Sequence, residues 1–173
     1  GRKLRLGAIK HNHFRLVIRQ ITGEWQRFAE RIEAIKQSGL PNYFGAQRFG
    51  HNGQNLQRAE ALFEGKIRLK KRDIGLHYSA ARSALFNDLL ALRIKNGSWC
   101  QALPGDVLML NGSHSHFTID QPDPETQRRI DDLDLHPTGP LHGRGESPAK
   151  LDCLALEEQA MSSRPILKAG LEQ

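Results

Sequence analysis

Cysteine is nearly absent from this sequence. Cys100 and Cys153 each stand without a CxxC partner, which excludes a zinc knuckle or a disulfide framework and leaves two ordinary reduced thiols. Long apolar runs are missing as well, since VLML at 107–110 falls far short of the roughly 20 residues that span a bilayer. No charged-then-apolar segment opens the sequence, so the expectation is no membrane partner and a cytoplasmic location. Neither a Walker loop nor GxSxG occurs, and GRGE at 143–146 lacks the lysine and hydroxyl that cradle phosphates, which argues against nucleotide-dependent or serine-hydrolase chemistry. Methionine occurs only at positions 109 and 161 while Gly1 stands first, a pattern expected of a fragment or processed piece.

What is present suits a polar globular protein. The 173 residues, 38% apolar and 25% charged but only 6% aromatic, suffice for one domain, or one domain with part of another, around a real core. Mean hydropathy is −0.55. The net charge is +6 and the isoelectric point about 9.6, and the excess is placed in blocks. Residues 1–19 hold Arg2, Lys3, Arg5, Lys10, Arg15 and Arg19 without an acid, GKIRLKKR at 65–72 adds five cations, and PDPETQRRIDDLD at 122–134 is acidic on balance. Such blocks attract phosphate. Nucleic acid is the leading partner, with Lys3, Arg5, Arg15, Lys66, Arg68, Lys70, Lys71 and Arg72 as candidate backbone contacts. Solvated faces of a basic protein are the plainer alternative.

Periodicity points to an α+β architecture in two parts. Leu4, Leu6 and Ala8 alternate with Arg5 and Gly7, and Phe14, Leu16 and Ile18 with Arg15 and Arg19, as in two half-buried strands joined by a turn at Lys10–His13. A helix is expected over 24–38, where Trp25, Phe28, Ala29, Ile32 and Ile35 recur at helical steps, with Thr22 as N-cap and Gly39 as stop. Pro41 then makes residues 42–50 a connection. A short helix follows from Asn55 as N-cap, and a longer one over 76–96 with Tyr78, Ala81, Leu85, Leu89 and Leu92 on one face. The basic stretch 66–72 between them reads as a boundary. PGDVLML and HFTI read as strands, Asp123–Pro124 as a helix start, and residues 136–148 as a long loop. A last helix over 148–161 would bury Leu151, Leu154 and Ala155.

His11 with His13, and His114 with His116, place paired rings on one face of a strand, as a metal site could use. No carboxylate or thiol accompanies them at ligand spacing, so turn and surface histidines are expected and no metal. Asp131, Asp132 and Asp134 lie among Arg128 and Arg129 and read as a solvated charged face. The densest constellation is GLPNYFGAQRFG at 39–50. A carboxamide at Asn42 can read a base edge or hold a catalytic group, and Tyr43 or Phe44 can stack on an unstacked base. Equally, Phe44 and Phe49 could fill the core while Asn42 caps its own turn.

PNYFGAQRFG at 41–50, followed by Asn55, resembles the signature of the TruD family of tRNA pseudouridine synthases. GRKLRLGAIKHNHF resembles the family's approach to a core strand, and SAARSALFNDLLALRI its long helix. PGD at 104–106 and LHPTGPLHG at 135–143 resemble segments of a domain inserted into the catalytic core. The resemblance implies that residues 1–66 are part of that core and 67–173 the inserted domain, incomplete at its C-terminal end. It also implies a cofactor-free isomerisation acting on tRNA; separately, a monomer is expected. An aspartate attacks a uridine nucleotide of the D arm, the glycosidic bond breaks, and the turned base rejoins the ribose through carbon, out of the helical stack. By position Asn42 should meet the uridine or the catalytic loop, and Phe44 should line the same pocket, with Tyr43, Gln47 and Arg48 beside them. The nucleophilic aspartate is expected upstream of Arg2, and none of Asp73, Asp88 or Asp106 sits in a matching motif. A non-catalytic RNA-binding module with the same fold surface is the alternative.

Overall fold

The computed structural model describes residues 13–173. The expected strand at Leu4–Ala8, most of the turn after it, His11, Lys3 and Arg5 lie outside the described residues. The second expected strand does not form: residues 14–18 have no regular structure, and Phe14, Leu16 and Ile18 are exposed, Phe14 by 81%. A strand needs a neighbour for its backbone groups and a layer over one face. Among the described residues this segment has neither.

Helix α1 (Trp25–Ser38) follows the helical spacing, although Glu24 rather than Thr22 occupies its N-cap position. Gly39 ends it with φ of 74°, a left-handed conformation that glycine adopts without a Cβ clash, and its N–H donates to Ile35 O at 2.8 Å. Trp25 and Phe28 stack at 5.1 Å, yet α1 buries none of its residues. Two 3-10 turns, Ala46–Phe49 and His51–Gly53, lead into α2 (Gln54–Phe63). Gly53, not Asn55, holds the N-cap position. The Asn55 side chain is directed back instead, donating to Arg48 O at 3.3 Å. It lies so close to Gly50 that a Cβ there would come within 2.9 Å of the carboxamide.

Helix α3 (Lys71–Lys95) is the spine. It starts five residues before the expected Leu76 and takes Lys71 and Arg72 into its first turn, where Asp73 complements the helix dipole. Small residues at Ala80, Ala81, Ser83 and Ala84 are buried along it and let its neighbours approach closely. Next come β1 (Val107–Leu110), β2 (His116–Thr118), α4 (Pro124–Asp131), β3 (Leu135–Pro137), α5 (Leu151–Ser162) and α6 (Pro165–Glu172). The strands form an antiparallel sheet in the order β2-β1-β3, with Leu108 opposite both Phe117 and Pro137. Leu108, Leu135 and Ile130 of α4 bury one another. Asp123 caps α4 as expected, its carboxylate accepting from the Thr126 N–H at 2.6 Å, a bond that holds the carboxyl below its usual range.

Helix α5 turns a different face inward than the pattern suggested. Cys153, Leu156, Glu157, Ala160 and Met161 are buried and Leu154 is half-buried against Val107 and Ala149, whereas Leu151 and Ala155 are exposed. The inward face includes a carboxylate and a thiol, which masks its apolar phase. Strand β3 and α6 were unforeseen. Helix α6 packs against α2 through Gly170, where a Cβ would fall 2.0 Å from the Phe63 ring. One core cluster joins Ala59 of α2, Ala81 and Leu85 of α3, Met161 of α5, and Leu167 and Leu171 of α6. The result is α+β, a helical layer beside a small sheet. No helix among the described residues is long and apolar enough to cross a membrane.

Candidate substrate-binding site

The loop after α1 is held by its backbone, which leaves its side chains outward. The Phe44 N–H donates to Asn87 Oδ1 at 3.0 Å, and Asn87 Nδ2 donates to Phe44 O at 3.0 Å. One carboxamide of α3 thereby satisfies both main-chain groups of the residue. The Phe44 ring meets Phe86 edge-on at 5.4 Å, and the Arg48 guanidinium lies 5.4 Å from the Phe44 ring centre, within cation-π range. Phe49 packs on the main core. Phe49 thus packs as foreseen, while Asn42, Tyr43, Gln47 and Arg48 of the same loop are exposed. Asn87 was missed in the sequence. Its signal was a carboxamide inside an otherwise apolar helical run, where asparagine is a poor helix former.

The loop residues divide between openings. Asn42 is exposed and lines a cleft of about 770 Å³ between the end of α1, α3 and the sheet. Phe86, Trp99, Met109, His136, Gly139 and Glu157 share that lining. Phe44 is not among its lining residues and reaches the cleft wall only through Phe86. Tyr43, Phe44, Gln47 and Arg48 instead line a shallow hollow with Leu76. Phe44 and Arg48 also line a third opening with Ser79 and Arg82. Tyr43 N–H donates to Pro41 O at 3.1 Å, so Asn42 stands at the apex of a tight turn.

Behind the cleft lies a buried polar network. Arg93 of α3 grips Asp106 with two hydrogen bonds, Nη1 to Oδ1 at 2.6 Å and Nη2 to Oδ2 at 2.8 Å. Asp106 also accepts from the Leu103 N–H at 2.8 Å. Burial, with Asp106 beside it, pushes the Cys153 thiol up to about 12. It therefore stays protonated and is no nucleophile at neutral pH. Glu157, 5% exposed, is pushed above the usual carboxylate range, first by burial and then by Asp106, against the pull of a Ser147 hydrogen bond and of Arg93 and His142. A raised carboxyl binds its proton more tightly in the folded than in the unfolded chain, so stability falls as pH rises from the unfolded to the folded value. Glu157→Gln is expected to match wild type in urea unfolding near pH 4 and to become the more stable of the two as the solution is made alkaline. A difference independent of pH would place the titration elsewhere.

Lys66, Arg68, Lys70, Lys71 and Arg72 are all exposed at the α2–α3 connection and the start of α3. Lys66 pairs with Glu64 at 2.8 Å, and Arg72 lies 3.5 Å from Asp73. Arg15 is exposed on the segment before α1. His13, His114 and His116 are exposed too, and no group of three or more His, Cys, Asp or Glu among the described residues is arranged to hold a metal ion.

The family model for tRNA pseudouridine synthase D (TruD) matches residues 1–69 and 54–171. The tRNA pseudouridine synthase D of Hydrogenovibrio crunogenus is 43% identical over 173 residues, covering 99% of this chain and 50% of the relative. Those of Nitrosococcus oceani and Methylococcus capsulatus are 44% and 42% identical, covering 100% and 99% of this chain and 49% of each relative. The chain spans about half the length of the curated relatives it matches. With a family model running across both the loop and the helices that hold it, and relatives above 40% identity over its whole length, the chain belongs to the TruD family of tRNA pseudouridine synthases.

Proposed function

We propose that this chain is the central part of an enzyme that converts a uridine in the D arm of tRNA to pseudouridine. Residues 1–66 contribute to the catalytic core and 67–173 form the domain inserted into it, the two packed through α2 against α3 and α6. The observation that carries this reading is the Asn87 clamp on Phe44, which pins the loop and leaves the Asn42 carboxamide at a cleft with apolar and aromatic walls. Such a cleft suits a base withdrawn from its stack. Asn42 contacts the uridine, and Tyr43, Phe44, Gln47 and Arg48 support the neighbouring nucleotides.

The nucleophile comes from the part of the protein outside this chain. Asp106 is fully buried against Arg93, Asp88 pairs with Arg164 at 2.5 Å, and Asp73 belongs to the dipole-facing first turn of α3. Isomerisation adds and removes no atoms or electrons, so no redox group is needed.

Incubating the full-length protein with unmodified tRNA and mapping pseudouridine tests the reading; product in the D arm is expected. Binding without product would favour a non-catalytic RNA-binding module. Neutralising Lys66, Arg68, Lys70, Lys71 and Arg72 is expected to weaken tRNA binding and to flatten its dependence on salt, by about 0.7–0.9 in the logarithmic slope for each phosphate no longer neutralised. An unchanged slope would remove this stretch from the interface.

A further inference from the structure

Among the described residues, Arg82 carries a charge that no carboxylate answers. It sits on α3 one turn beyond Ser79, so the two share a helix face, and both line an opening of about 410 Å³ with Phe44 and Arg48. Arg48 enters from the loop and donates through Nη1 to Ser79 Oγ at 3.1 Å. Arg82 donates through Nε to His142 O at 3.0 Å. Both acceptors are neutral oxygens. Among the described residues neither guanidinium forms an ion pair with a carboxylate, and the two terminal amino groups of Arg82 find no protein acceptor.

Two guanidiniums brought to one hollow without a counter-charge repel each other and leave forked donors open, the arrangement that an oxyanion with several acceptor oxygens satisfies. The Phe44 ring under Arg48 supplies an apolar surface for the attached sugar or base. The hollow shares Phe44 and Arg48 with the shallower opening that Leu76 lines. Lys71 and Arg72 lie about one helical turn before Leu76 on the same helix. The exposed cations at the start of α3 thus lead towards the Arg48–Arg82 hollow, as a polyanion track would.

Resting on the proposed function, we propose that this hollow grips one phosphodiester of the tRNA strand beside the target uridine. Arg48 and Arg82 donate to its non-bridging oxygens. Arg82 acts as a positioning residue that sets the register of the strand while Asn42 meets the base.

The test uses the full-length protein and a tRNA-derived stem-loop in which single phosphates flanking the target are replaced, one at a time, by uncharged methylphosphonate. One linkage is expected to weaken wild-type binding by about 10-fold, as for removal of a charge-assisted hydrogen bond. At that linkage alone, Arg82→Gln and Arg48→Gln should bind charged and neutral RNA within about 2-fold of each other, and Arg82→Lys should recover part of the discrimination. The inference is overturned if wild type is insensitive at every linkage. It is also overturned if both Gln variants keep the full wild-type discrimination, or if Arg82→Gln lowers only the melting temperature, the result expected of a mere anchor for His142. Arg48→Gln, anchored on a different element, guards against a folding defect in the first variant. Pseudouridine formation on unmodified RNA is followed in parallel. Product without linkage coupling defeats this inference alone, whereas coupling without product defeats the assigned reaction and leaves the phosphate grip standing.

Discussion

Asp106→Ala is expected to cost about 3–5 kcal/mol of folding stability, the range for removing one partner of a buried ion pair. Asp106 is fully buried and the Arg93 side chain is 4% exposed. The substitution would leave a guanidinium in the interior with only the carbonyls of Ser98 and Gln101 to receive its donors. It would also orphan the Leu103 N–H. Domains of this size have roughly 5–15 kcal/mol to lose, so the variant should unfold at a far lower urea concentration, with an unchanged slope if the unfolded state is the same. Replacing both partners together, Arg93→Met with Asp106→Leu, should recover part of the loss, because the unpaired buried charge is gone although the Leu103 N–H and the carbonyls that Arg93 served lose their partners. A single variant as stable as wild type would show that water reaches the pair.

The same pair ties the end of α3 to the start of β1. Arg93 lies near the end of α3, and Asp106 immediately precedes Val107, which lines the Asn42 cleft. Beside it, Gly105 has φ of 81°, and a Cβ there would fall 1.9 Å from Lys150 O. The backbone before β1 therefore lies directly against the start of α5, where Lys150 N–H donates to Gly105 O at 3.0 Å.

Local signals were legible in the sequence, and contacts between distant segments were not. Asp123 before Pro124 marked the start of α4 because capping is an interaction over three residues. The spacing of Ala81, Leu85 and Leu89 marked α3 because one turn repeats it many times. The same reasoning found α1 from Trp25, Phe28 and Ile32, but apolar spacing along a helix does not say what covers it, and among the described residues none of α1 is fully buried. Phe14 to Ile18 failed as a strand for that reason too: alternation is a local property, whereas a strand exists only beside another. Strand β3 and helix α6 are short, and both are held by tertiary packing, Leu135 on Leu108 and Gly170 on Phe63. At the site, the loop announced itself through unusual residue types. Its supports, Asn87 and Ser79, were hidden inside the α3 pattern as ordinary polar positions.

Asn42→Ala is expected to lower kcat of the full-length enzyme by on the order of 100-fold, the loss typical of one well-placed hydrogen-bonding group acting on developing charge. The tRNA affinity should change by less than about 3-fold, because phosphate contacts supply most of the binding. The geometry separates these two quantities. Had Asn42 capped its own turn, its carboxamide would be engaged by neighbouring backbone. Instead the turn is closed by the Tyr43 N–H on Pro41 O, the loop is pinned by Asn87, and the Asn42 side chain makes no hydrogen bond among the described residues. Truncating it therefore removes little from the fold. What it removes is a donor and an acceptor facing the cleft, which matter only when a base is there to meet them. Single-turnover rates and filter-binding affinities measured on the same preparation decide the matter. Parallel losses in rate and affinity, with a lowered melting temperature, would assign Asn42 to the architecture of the loop and move the base-reading role to another residue of the cleft.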